Sequence, residues 1–92
     1  MRVRLAATAR RDVLRLADFL QERNPAAAKR AMDAIEAGLL SLSEMAERGY
    51  RARLGSMRQL FVPFGRAGYV MQYLVDEGEV VVLRIIHALE DR

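Results

Sequence analysis

"MRQLFVPFGRAGYVMQYLV", residues 57–75, is the stretch whose reading decides the fold. Its apolar residues recur every second position, the period of a half-buried strand. Met57 to Val62 reads as one strand, with Arg58, Leu60 and Val62 on one face. Pro63 has no N–H for a ladder, so the strand ends there or lies at an edge. Gly65-Arg66-Ala67-Gly68 reads as a turn. Tyr69, Met71, Tyr73 and Val75 then alternate with Val70, Gln72 and Leu74 in a second strand. Downstream, Asp76-Glu77-Gly78-Glu79 turns again, with Gly78 free to take positive φ. Val80 to Ile86 is apolar enough for a central strand. Links this short make the three strands antiparallel.

Upstream the period lengthens. In residues 24–42, "NPAAAKRAMDAIEAGLLSL", apolar residues fall at Ala28, Met32, Ile35, Leu39 and Leu42, and the stripe continues to Ala46. These steps of three and four mark one helical face. Asn24 is a capping residue and Pro25 fits the first helical position. Gly38 weakens a helix interior, so close packing is its expected reason, and Gly49 is the expected end. An earlier helix shows Val13, Leu16, Ala17 and Leu20 on one face, widened by Leu14 and Phe19. Thr8 is positioned to cap it and Asp12 lies near its positive end. The one- or two-residue link at Asn24-Pro25 folds the two helices into an antiparallel hairpin. Arg2 to Leu5 alternates as a short strand, and 51–56 reads as a loop with Tyr50 as its anchor.

The expected order is β-α-α-β-β-β. This is an α+β fold: an N-terminal short strand, then an antiparallel helix hairpin packed on one face of a C-terminal antiparallel sheet. Ninety-two residues make a single domain, 1–92, which buries only roughly 60–65% of its unfolded surface. The hairpin is expected to pack through Leu16, Leu20, Met32, Ile35, Leu39 and Leu42.

Composition narrows the class. The chain is 52% hydrophobic and 29% charged, too apolar for disorder. It has no cysteine, so its stability rests on packing or on a partner, and a cytoplasmic setting fits. No run approaches the length of a membrane span. The net charge of +3 hides an uneven distribution: Arg48, Arg51, Arg53, Arg58 and Arg66 fall in 48–75 with no acid among them. Such a block is by default a solvated surface, but its unbalanced charge favours an anionic partner. Nearly all the basic residues are Arg, which contacts carboxylate or phosphate in bidentate fashion; codon bias explains the preference equally well.

Three stretches together resemble the RelE/ParE superfamily of toxins from bacterial type II toxin–antitoxin systems. Residues 24–42 are similar to its second helix. Residues 57–75 are similar to its Arg-x-Leu strand followed by a Gly-Tyr strand. Residues 79–91, "EVVVLRIIHALED", are similar to its closing strand, with the His-x-x-x-Asp ending. The resemblance spans nearly the whole chain. It implies one of two activities: ribosome-dependent cleavage of messenger RNA in the RelE-like branch, or inhibition of DNA gyrase by protein binding in the ParE-like branch. In either case it implies neutralisation by a cognate antitoxin, a small DNA-binding protein whose C-terminal tail folds on the toxin as a hetero-oligomer. No cofactor or metal is implied.

The ribonuclease pattern of the family is largely missing. Arg58 matches its first cation, but Val70 stands where an Arg follows the Gly-Tyr pair, and no Tyr follows His87. The resemblance therefore leans to the ParE-like branch. A ribonuclease with an altered site would use Arg58, Arg84 and His87, and a decayed toxin that keeps only antitoxin binding is a third possibility. Contacts to target or antitoxin are expected from Arg51, Arg53, Arg58, Arg66, Tyr69, Arg84, His87 and Glu90. Two of these also have structural readings. His87, with no second His or Cys, can simply end the strand and bond the chain reversal. Arg84, expected on one face with Val82 and Ile86, can pair with Glu90 or Asp91.

Overall fold

A computed structural model of the chain describes residues 1–44, 50–51 and 57–88, with the side chains of Tyr50 and Arg51 left out. The elements are β1 (Arg2–Leu5), α1 (Ala7–Arg23), α2 (Pro25–Glu44), β2 (Tyr50–Arg51), β3 (Arg58–Phe64), β4 (Ala67–Asp76) and β5 (Glu79–His87). They build one five-stranded sheet in the order β1-β5-β4-β3-β2. β3, β4 and β5 are antiparallel neighbours, as their short links require. β1 instead runs parallel to β5, from Arg2↔Glu79 to Leu5↔Val82, so the sheet is mixed and β5 is an inner strand.

Local signals explain most boundaries. Asn24 serves both helices. Its N–H bonds Leu20 O at 2.7 Å to close α1, and its side-chain oxygen accepts the Ala27 N–H at 3.1 Å to open α2. The β4–β5 loop is Glu77-Gly78, both with positive φ (49° and 77°), the two-residue turn whose twist matches the strands. The β3–β4 loop is only Gly65-Arg66; Ala67 and Gly68 already belong to β4. Pro63 pairs with Gly68 inside β3, and β2 pairs only with Arg58 and Gln59.

Some expectations change. Thr8 does not cap α1, because Ala6 is the N-cap and no side chain bonds there. Leu14 and Phe19 do not widen the buried face; they are 65% and 53% exposed. Tyr50 and Arg51 form β2, not a loop, because pairing satisfies backbone groups at the outer edge of β3. Residues 52–56, along with Ala46, Arg48 and Gly49, lie outside the described residues.

The hairpin covers one face of the sheet. Its core joins Leu16, Ile35 and Leu42 to Leu60, Val62, Tyr69, Met71, Tyr73, Val80, Val82 and Ile85, with Leu20, Met32 and Leu39 packed against them. All six residues expected to dock the hairpin do so. Gly38 is buried against the sheet: a Cβ there would sit 2.8 Å from Val62 Cγ2 and 3.1 Å from Met71 Cε, so only glycine lets α2 come this close. Among the described residues no helix is long and apolar enough to cross a membrane.

Candidate functional site

The site begins at an irregularity in β5. The register runs Tyr73↔Val82 and then Gln72↔Arg84, so an extra residue enters β5 at this point. This bulge swaps the faces beyond it. Val82 and Ile85 both enter the core under the helices, while Ile86 pairs with Val70. Arg84 therefore keeps Ile86 as its neighbour on one face but not Val82, whereas strict alternation predicts all three together.

β1 covers the edge of β5 only as far as Val82. Beyond it α1 takes over. Ala6 N–H donates to Val82 O at 2.9 Å, and the Thr8 hydroxyl donates to Leu83 O at 2.6 Å. Asp12 then accepts the Ile85 N–H at 2.9 Å. The same carboxylate receives Arg84 through Nε at 2.7 Å and a second guanidinium nitrogen at 3.1 Å, in bidentate fashion. Arg15 approaches it at 3.5 Å. Asp12 is 5% exposed. Burial acts to raise its pKa, but the hydrogen bonds from Arg84 and Ile85 N–H and the charges of Arg84 and Arg15 outweigh it, so the carboxyl lies below its ordinary value. The partner of Arg84 seen here is thus Asp12, from the first helix. Glu90 and Asp91 lie outside the described residues.

One turn further along α1 lies a groove of about 330 Å³. α1 supplies Arg15, Leu16, Phe19 and Leu20; the sheet supplies Phe64, Tyr69 and His87. Tyr69, 1% exposed, forms its floor, and burial pushes its hydroxyl pKa up. Its ring lies 5.8 Å from that of Phe64, and the His87 imidazole stands edge-on to it at 5.5 Å and 85°. His87 pairs with Tyr69 as the last residue of β5, and the following Ala88 N–H bonds Gly68 O at 2.8 Å. At the rim, Arg23 stacks over the Phe19 ring at 3.9 Å.

The candidate residues from the sequence do not form one cluster. Tyr69 and His87 meet in the groove, and Arg84 lies three residues before His87 on β5. Arg58 sits opposite Tyr73 while His87 sits opposite Tyr69. Strand geometry thus puts their backbones about 13 Å apart along the sheet and about 10 Å across it. Arg66 is exposed in the β3–β4 loop, and Arg51 lies in β2 at the far edge. Arg53 and Glu90 fall outside the described residues. Sequence reading missed Asp12 and Arg15. Asp12 looked like a helix-terminal charge, and only its place on the Leu16 side of α1 hinted at burial. Among the described residues no three His, Cys, Asp or Glu side chains cluster as a metal site requires.

Residues 3–92 match the family described as ParE toxin of type II toxin–antitoxin system, parDE. The chain is 43% identical over 90 residues to Toxin RelE3 of Caulobacter vibrioides, covering 98% of this chain and 97% of that protein. It is 41% identical to Toxin RelE1 of the same organism, covering 98% and 96%. Among solved structures, the chromosomal ParDE toxin–antitoxin system of P. aeruginosa superposes with a TM-score of 0.80 at 21% identity, covering 96% of each chain. The toxin–antitoxin complex RelBE2 of Mycobacterium tuberculosis superposes at 0.67 with 27% identity, covering 94% and 95%.

Proposed function

The chain belongs to the ParE toxin family of type II toxin–antitoxin systems, within the RelE/ParE superfamily, and from that premise we propose that it acts by docking onto a protein, DNA gyrase, and is silenced by a cognate antitoxin. The observation that carries this reading is the dispersal of the candidate catalytic groups. Cleavage of a phosphodiester needs cations and proton-transfer groups converging on one bond. Here Arg58 lies strands away from His87. Arg84 is engaged by a buried carboxylate, and the cavity beside His87 is walled mainly by apolar side chains. An apolar groove with a cationic rim suits recognition of a protein surface better than hydrolysis. The antitoxin half of the proposal draws on the two solved neighbours, both described as toxin–antitoxin systems. Its partner would be a small DNA-binding protein whose C-terminal tail folds over the toxin.

A second reading, a ribosome-dependent mRNA endoribonuclease, is favoured by the RelE names of the two relatives. A toxin that has lost its activity and keeps only antitoxin binding is the third. The test is induced expression without antitoxin, with DNA damage response, filamentation and transcript integrity followed together, and supercoiling by purified gyrase assayed with the purified chain. Filamentation and lost supercoiling with intact transcripts are expected. Transcripts cut on ribosomes, with gyrase unaffected, would establish the second reading instead.

A further inference from the structure

The side of α1 that points away from the sheet is ordered by charge. The helix buries Ala9, Asp12 and Leu16. On the opposite side Arg11, Leu14 and Asp18 follow steps of three and four, so they stand in one exposed row. Leu14, at its centre, is 65% exposed. On this side Arg10 and Arg11 precede Leu14, and Asp18 and Glu22 follow it. The later cations of the helix are turned aside, Arg15 to the Asp12 carboxylate and Arg23 onto the Phe19 ring. Among the described residues no hydrogen bond or ion pair engages the side chains of Arg10, Arg11, Asp18 or Glu22. Nothing within α1 favours their order. Cations toward the N-terminus and acids toward the C-terminus oppose the helix macrodipole, and Asp18 and Glu22 form a like-charge pair one turn apart. The order is instead self-complementary. At the rise of an α-helix, Arg11 stands about 4.5 Å before Leu14 and Asp18 about 6 Å after it. A second α1 laid antiparallel across the first, Leu14 against Leu14, therefore sets Arg11 of each copy level with Asp18 of the other to within about 1.5 Å. A parallel partner would set like charge against like.

We infer that the chain associates with a second copy of itself through this side of α1, the two helices lying antiparallel about a two-fold axis at Leu14. The same patch serves both copies, an isologous contact that closes at two. The facing Leu14 side chains remove apolar surface from water, and the two Arg11–Asp18 contacts fix the direction. One helix on one helix is a small interface, about 1,000 Å² or less in total, so the association is weak and concentration-dependent. None of these three residues lines the groove at His87, so the contact is separate from that site.

The experiment is sedimentation equilibrium of the purified chain from about 1 to about 100 μM. The wild type is expected to pass from monomer to dimer over this range, and Leu14→Asp to stay monomeric throughout. Arg11→Asp and Asp18→Arg should each weaken the dimer by about tenfold, since each sets like charges face to face twice. Arg11→Asp and Asp18→Arg in one chain restore the complement and should return the dimer to within about threefold of wild type. An equal mixture of the two single variants should do the same, because each then complements the other. Thermal melts check the fold, and if Leu14→Asp unfolds, the charge exchange decides alone. A wild type that is monomeric at about 100 μM overturns the inference, as does a dimer that survives Leu14→Asp. Losses in the single charge variants that neither the double variant nor the mixture recovers overturn it too, because the charges then do not meet across a two-fold axis. A monomeric wild type whose antitoxin affinity falls with Leu14→Asp gives this side of α1 to the antitoxin instead. Gyrase inhibition lost in the same way gives it to the target.

Discussion

Asp12 and Arg84 join the first helix to the last strand across 72 residues of sequence, through two hydrogen bonds at 2.7 and 3.1 Å. The same carboxylate also takes the Ile85 N–H, at the point where the bulge leaves β5 without β1 beside it. One side chain therefore fixes both the strand edge and the Arg84 guanidinium.

Asp12→Ala is expected to cost about 3 kcal/mol, because it strands a buried N–H and removes the bidentate contact to Arg84 at once. Arg84→Ala should cost about 1 kcal/mol: Arg84 is nearly half exposed, and Asp12 keeps the Ile85 N–H and Arg15. Urea unfolding of the two variants checks the order. Equal costs would mean that the backbone bond contributes little.

The pH dependence follows from the same carboxyl. Its folded pKa is depressed below the ordinary 3.8, so its contribution is fully present above that value and is lost as pH falls through the folded pKa. The stability gap between wild type and Asp12→Asn is thus expected to be flat from neutral pH down to about pH 5 and to shrink below 3.8. A gap that instead narrowed between pH 7 and pH 5 would assign the effect to another group.

The parts of the fold that were legible in the sequence are those set by local chemistry. Asn24-Pro25 wrote the hairpin link, Glu77-Gly78 the tight turn, and the spacing of Met32, Ile35, Leu39 and Leu42 the docking face. What escaped was set by long-range geometry. The parallel partnership of β1 with β5 leaves no mark on four alternating residues. β2, with two residues, is too short to show a period. A bulge is one residue out of step, so alternation alone groups Arg84 with Val82, which the fold puts on the opposite face. The groove is half legible: the family pattern marks Tyr69 and His87, but α1's share of it, Arg15 and Phe19, reads in sequence as ordinary helix surface.

Gly38→Ala should destabilise the chain by about 1 kcal/mol, although alanine is the better helix former by a similar amount. The added methyl meets the stiff Val62 side chain at 2.8 Å, and a branched side chain cannot swing aside. In a Val62→Ala background the sign should reverse, because the methyl then fills the space that Val62 vacates. Strictly additive effects in this double-mutant cycle would show that Gly38 is not there to let α2 approach the sheet.

His87 is the group on which a catalytic reading and a docking reading differ most. As a general base it would need an orienting partner and a cation at the scissile phosphate. The structure shows its ring edge-on to Tyr69, its backbone on the last rung of β5, and Arg58 distant along the sheet. An edge-on ring contact of this kind contributes about 1 kcal/mol of packing. His87→Gln is therefore expected to lower stability by about that amount and to loosen binding at the groove modestly, with toxicity largely kept. Arg58→Ala, at the other end of the sheet, should add only its own separate effect in the double variant, since sites this far apart act independently. The check is growth arrest, transcript mapping and gyrase supercoiling in the two single variants and the double. Ribosome-dependent RNA cleavage by the wild type, abolished alike by His87→Gln and Arg58→Ala and no further by the pair, would mean that the two groups serve one catalytic centre after all.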